Sequence, residues 1–162
     1  AVQAANQKRE PLPAAASTNE VEVRITDRAA FDTLLERHRN QVILVDFWAS
    51  WCIPCVQQFP HTVSLHNKYA DRGLAVISVS LDDVDGLEGV RKFLTKQGAT
   101  FANLLAFDGS SEATFEAFEV RGVPAYRIYD RSGNLRREFT VDPAAKTQYT
   151  MADIEQLIEE LL

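Results

Sequence analysis

Apolar and polar positions along the chain switch between two spacings. In VEVRIT, residues 21 to 26, apolar residues take every second position, as in a half-buried strand. In DRAAFDTLLERHRN, Phe31, Leu34 and Leu35 recur at helical spacing. QVILVDFWA at 41 to 49 is a nearly continuous apolar run, rich in β-branched and aromatic residues, and it predicts a central strand covered on both faces. From Cys52, the spacing of Val56, Phe59, Val63, Leu65 and Tyr69 predicts a helix to about Asp71, and Pro60 within it predicts a kink. GLAVISVSL at 73 to 81 reads as a second buried strand. GLEGVRKFLTKQG at 86 to 98 reads as a helix stopped by Gly98, and ATFANLLAF at 99 to 107 returns to extended character.

SSEATFEAFEV predicts a short helix with Phe115 and Phe118 on one side. PAYRIYD and LRREFTV, joined by RSGN, predict a hairpin around Gly133 and Asn134. TMADIEQLIEELL closes the chain with Met151, Ile154, Leu157, Ile158, Leu161 and Leu162 at helical intervals. Strands that alternate with helices and then end in a hairpin and a helix predict an α/β sandwich, its sheet parallel in the middle and antiparallel at one edge. No internal repeat is visible.

The first 20 residues, AVQAANQKREPLPAAASTNE, lack apolar periodicity and cannot bury enough surface to offset the entropy of ordering. They read as a tail or tether, with a domain from 21 to 162. A chain of 162 residues with 46% hydrophobic residues can build a sizeable core. Its formal net charge of −6 argues against a phosphate-backbone binder, so nucleic acid is not an expected partner. No apolar run reaches the length of a bilayer span, and the domain itself reads as soluble. Because the chain starts at Ala1 rather than Met, the expectation is that an earlier segment, such as a signal peptide or lipid anchor, has been removed.

The chemistry centres on Cys52 and Cys55, the only cysteines. A strand that runs into Cys-x-x-Cys at a helix start puts the first thiol among free N–H groups at the positive end of the macrodipole, which favours the thiolate. Cys55, three residues on, lies beside it and more deeply buried, so Cys52 reads as the attacking thiol and Cys55 as the resolving one. Competing readings are a zinc site with His61 and His66, two inert core thiols, and a purely structural disulfide. Zinc suits the spacing poorly, since on one continuous helix the two histidines diverge by about 140°. A surface or capping role fits them better. Inertness leaves the strand-to-helix position unexplained, and a disulfide over so short a loop constrains the unfolded chain little.

LVDFWASWCIPC resembles the active-site strand and turn of the thioredoxin superfamily, and RGVPAYRIYDRSGNL resembles the segment carrying that family's cis-proline and hairpin. From about 21 to 162 the chain is similar to the TlpA/ResA-like branch, the bacterial membrane-tethered or periplasmic thiol-disulfide oxidoreductases. An extra helix and strand over about 83 to 107 and the Phe59-Pro60 pair point to that branch. The resemblance implies a thioredoxin-like sandwich with a mixed central sheet flanked by helices and a helix-strand insertion. It also implies a cis bond before Pro124, which lies against the cysteine pair and leaves the Val123 backbone open to pair with an extended substrate.

Asp46, in the middle of an apolar strand, is costly to bury charged, so its pKa should be raised. It resembles the buried acid that accepts the Cys55 proton. Some members of the branch use an acid in the insertion instead, which leaves Asp82 as the alternative; Asp82 and Asp83 also read as a solvated strand end. Trp51 reads as a shield for the disulfide and, with Ile53, Pro54, Val123 and Pro124, as substrate-docking surface. Phe47 reads as core.

The expected enzyme exchanges thiols and disulfides with protein substrates, without cofactor or metal. Ile53 and Pro54 offer the thiolate neither charge nor side-chain donor, which predicts a reductant. A reductant in the periplasm, or elsewhere outside the cytoplasm, needs a membrane electron donor. A cytosolic thioredoxin-type reductase and a non-catalytic peptide-binding module are the alternatives; a missing export signal marks the first, peptide affinity without turnover the second.

Overall fold

The longest apolar run becomes β2 (Val42–Trp48), and all seven of its residues are buried. The computed structural model describes residues 19–162, so the tail expected over 1 to 20 lies outside the described residues as far as residue 18. β2 pairs in parallel with β3 (Leu74–Ser80) and antiparallel with β5 (Ala125–Tyr129). Beyond them lie β4 (Ala102–Ala106) and β1 (Arg24–Thr26), both parallel, and β6 (Leu135–Thr140), antiparallel to β5. The resulting six-stranded order is β1-β4-β3-β2-β5-β6, parallel on one side of β2 and antiparallel on the other.

Because side chains alternate along β2, it feeds two cores. Ile43, Val45 and Phe47 meet Phe31 of α1 (Arg28–Arg37) and Phe118 at the end of α4 (Ser111–Ala117). Val42 and Leu44 meet Leu65 and Tyr69 of α2 (Ile53–Tyr69) and Ile154 and Ile158 of α5 (Met151–Leu161). On the α2 side, α3 (Leu87–Gln97) adds Val90 and Leu94 to a third cluster with Trp48, Phe59 and both cysteines. Residues 83 to 107 therefore supply α3 and β4, and β4 inserts between β1 and β3.

Two expectations need correction. The first strand is half as long as the alternation of 21 to 26 predicts, because the Val21 N–H donates to Thr95 Oγ1 at 3.1 Å and Val23 is buried against the α3 cluster instead of extending the pairing with β4. On α2 the buried stripe is Cys55, Phe59, Thr62, Leu65 and Tyr69; Val56 and Val63 are only half-buried. The helix runs through Pro60 as one element.

Gly98 closes α3 at φ +69°, a conformation a Cβ disfavours, and lets the chain turn back toward β4. The Thr150–Asp153 capping box starts α5. Replacing the fully buried Ile154 with Ala should cost about 2 to 5 kcal/mol. Urea unfolding checks this: the midpoint should fall with the slope unchanged. A loss below about 1 kcal/mol would mean that α5 is not docked as described.

Candidate active site

β2 ends at Trp48, and the chain crosses Ala49, Ser50 and Trp51 before Cys52 caps α2. Cys52 has the extended backbone of an N-cap, with its N–H on the Ala49 carbonyl at 3.1 Å and its Sγ accepting the Cys55 N–H at 3.3 Å. A sulfur thus takes the place usually filled by a Ser or Asp oxygen. Pro54 in the first turn costs nothing there, since the first four N–H groups of a helix have no partner within it. Cys52 and Cys55 are joined as a disulfide, with Cα atoms 5.2 Å apart. Cys52 keeps 7% of its surface and Cys55 1%, so an incoming group reaches Cys52 first.

Trp51, Ile53 and Pro54 surround the disulfide on the outside; Trp51 is 63% and Ile53 71% exposed. Large apolar side chains held this far into water are rim, not core. Val123 packs against the cluster that contains both cysteines, and the Val123–Pro124 bond is cis. Trp48 lies fully buried between Phe59 and Phe93, with ring centroids 5.1 and 4.9 Å away, and Phe47 lies buried on the opposite face against Phe31.

Asp46 shares the α2 side of the sheet with Trp48, facing the stripe that carries Cys55, Phe59 and Thr62. The Thr62 hydroxyl donates to Asp46 Oδ2 at 2.7 Å, while Oδ1 has no hydrogen-bond partner among the described residues. Burial pushes the carboxyl up to about 7, and the Thr62 bond offsets only part of that.

Asp82 is not a solvated strand end. It retains 8% of its surface and accepts from the Ser50 N–H at 2.9 Å, the Ser80 hydroxyl at 2.6 Å and the Ser50 hydroxyl. Asp83 alone is exposed. His66 packs edge-on against Phe101 at 5.2 Å, and burial lowers its pKa, while His61 lies on the surface.

Sequence reasoning missed Thr62, Ser50, Ser80 and Arg127. Thr62 had a signal, as a polar residue three positions from both Phe59 and Leu65 on one helix face. Arg127, in the middle of an apolar strand, had one too: it is 4% exposed, stacks over Phe47 at 4.6 Å and donates to the Glu119 carbonyl at 2.7 Å. The two serines had none, since their partner is set by the register of the sheet.

The AhpC/TSA family profile matches residues 20–150. The chain is 23% identical over 137 residues to thiol-disulfide oxidoreductase ResA of Geobacillus kaustophilus, covering 85% of this chain and 72% of that protein. It is 35% identical over 107 residues to protein DipZ of Mycobacterium bovis, which is 63% of this chain but 15% of DipZ. Among solved structures, one assigned as thiol:disulfide interchange protein DsbE of Chlorobium tepidum superposes with a TM-score of 0.62 at 33% identity, covering 78% of this chain and 84% of that one. The solved structure shares the thioredoxin-like arrangement of a mixed sheet between helices.

The buried carboxyl sets a pH dependence of stability. Asp46 moves from an ordinary 3.8 to about 7 on folding. Between those values the folded state holds more protons than the unfolded one, so stability falls as pH rises. The cost is absent below the lower value and complete above the upper one, where it amounts to about 4 kcal/mol. Asp46→Asn removes this titration, so the oxidised variant should gain on wild type by about that much between about pH 4 and pH 8. Denaturant titrations at both pH values test it, and a constant difference would show that Asp46 does not titrate in this window.

Proposed function

The chain belongs to the AhpC/TSA family of the thioredoxin superfamily, and from that premise we propose that it reduces protein disulfides outside the cytoplasm. Its chemistry is thiol-disulfide exchange. The observation that carries the reading is the joined Cys52–Cys55 pair at the start of α2, with Cys52 Sγ on a helix N–H beside an exposed apolar rim.

In the reduced protein, Cys52 loses its proton readily because the Cys55 N–H and the α2 terminus favour the anion. The Cys52 thiolate attacks one sulfur of a substrate disulfide; a Cys52–substrate bond forms, and the other substrate sulfur leaves as a thiolate that takes up a proton. Asp46 then accepts the Cys55 proton, and Cys55 sulfur attacks Cys52 Sγ. This forms the Cys52–Cys55 bond and expels the second substrate thiolate. Two electrons have passed to the substrate. Asp46 Oδ1, unpartnered among the described residues, and the raised pKa of the carboxyl suit it to this transfer near neutral pH, which favours it over Asp82, whose oxygens are already engaged. Trp51, Ile53 and Pro54 on one side and Val123 and Pro124 on the other receive the polypeptide around the disulfide.

Ile53 and Pro54 leave the thiolate without an added charge or donor, which favours a reducing couple. Each turnover consumes a dithiol, so a reductase outside the cytoplasm draws electrons from a membrane partner. This setting rests on the likeness to the TlpA/ResA branch. No helix among the described residues is long and apolar enough to cross a membrane.

The couple should titrate as a two-electron system at about −250 mV or lower, followed by tryptophan fluorescence in thiol redox buffers. A potential above about −180 mV would reverse the direction and make the protein a disulfide donor. Cys55→Ser should accumulate a mixed disulfide at Cys52, and Asp46→Asn should slow substrate release by about a hundredfold at neutral pH. Quenched-flow analysis of the mixed disulfide checks both, and an unchanged release rate in Asp46→Asn would remove Asp46 from the mechanism.

A further inference from the structure

Asp82 carries a buried carboxylate with no Lys or Arg paired to it among the described residues. An unpaired buried charge persists only where hydrogen bonds replace its water. Here the donors are the backbone and hydroxyl of Ser50 and the hydroxyl of Ser80, and the Asp82 N–H in turn donates to Ser80 Oγ at 3.1 Å.

The parallel register explains why these residues meet. Asp46 stands opposite Ser78 and Trp48 opposite Ser80, and the Leu81 N–H donates to the Trp48 carbonyl at 2.8 Å, one step past the end of β3. Continuing the same count brings Asp82 opposite Ser50. That residue is in the turn, two positions before Cys52, where the ladder has ended and the chain must swing into α2. Side-chain bonds from Asp82 take over where backbone bonds stop.

We propose that Asp82 is a positioning residue of the exchange reaction: by clamping Ser50, it fixes the turn that holds Cys52 Sγ against the first N–H groups of α2. The proposal rests on the reading of Cys52 as the attacking thiol. It gives the insertion-side acid a role apart from proton transfer: Asp82 holds the sulfur in place, and Asp46 takes the proton. Both Ser50 donors are used, so a side chain that keeps only the backbone bond leaves the turn pivoting about one contact. The thiolate then loses part of its fixed N–H donor. Restoring a hydroxyl restores the clamp.

The test is the pH dependence of iodoacetamide alkylation at Cys52 in the reduced protein, located by peptide mass. Ser50 is exposed, so its variants leave the core intact. Ser50→Ala should slow alkylation just below neutral pH by about fivefold, the scale of one lost hydrogen bond, and move the midpoint upward. Ser50→Thr should return the profile to within about twofold of wild type. In an Asp82→Asn background, which alters the acceptor and removes its charge, Ser50→Ala should lose most of its effect; equal effects in both backgrounds would mean that Ser50 does not act through Asp82. A lowered wild-type midpoint with Ser50→Ala superimposed on it would overturn the role of Asp82 alone. A wild-type Cys52 that titrates no lower than an ordinary thiol would overturn the attacking role of Cys52, and this proposal with it.

Discussion

The constraint on which the rest depends is that β2 has no side open to water. β3 and β5 take its backbone, and helices cover both of its faces, so every side chain it carries is buried. A polar residue there is expensive, and the chain places just one on it. Asp46 pays with a raised pKa, because one hydroxyl bond from Thr62 does not replace the water lost by a whole carboxylate. The strand also fixes where chemistry can occur. The chain leaves the layer at Trp48 and returns along α2, so the turn between them reaches the surface while its base stays in the core.

Two acids near that turn are treated in opposite ways. Asp46 is buried with one oxygen engaged and one left without a partner among the described residues, while Asp82 has both oxygens engaged by Ser80 at the end of β3 and by Ser50, two positions past the end of β2. An acid with a vacant oxygen and a raised pKa can take a proton, and an acid saturated with donors is better suited to holding something still. Their separation follows from the pleat and the register: Asp46 faces α2 from within the strand, and Asp82 reaches across to the turn after its ladder has ended.

Much of this was legible in the residues. The apolar run of 41 to 49, the Cys-x-x-Cys after it and the hairpin around Gly133 are local signals, and each element formed where its own periodicity placed it. What could not be read depended on neighbours far away in the chain. The first strand was shortened by Thr95, a residue 74 positions away. The buried face of α2 rotated to Cys55, Thr62 and Leu65 because β2 lies on that side, a fact that helical spacing alone does not contain. Asp83 met the expectation of a solvated strand end and Asp82 did not, because only Asp82 falls opposite Ser50 in the register.

The wall facing the cysteine turn is anchored by other means. The chain leaves α4 through Glu119, at φ +56°, and goes on to Val123 and Pro124. Arg127 Nη2 holds the Glu119 carbonyl at 2.7 Å, and Arg28 Nη1 holds the Ala117 carbonyl at 2.8 Å. Arg127 can do this from inside the sheet because Glu138 balances its charge from β6 and the Phe47 ring supports its face. The last carbonyls of a helix are acceptors without intrahelical partners, and guanidinium donors supply them. One wall is therefore held by a carboxylate just past the end of β3 that collects donors, and the other by two guanidinium groups, Arg127 on β5 and Arg28 at the start of α1, that fill acceptors. The separation between Cys52 and Val123 is then set by the scaffold rather than by whatever chain enters between them, as a bond exchange that must align three sulfur atoms requires.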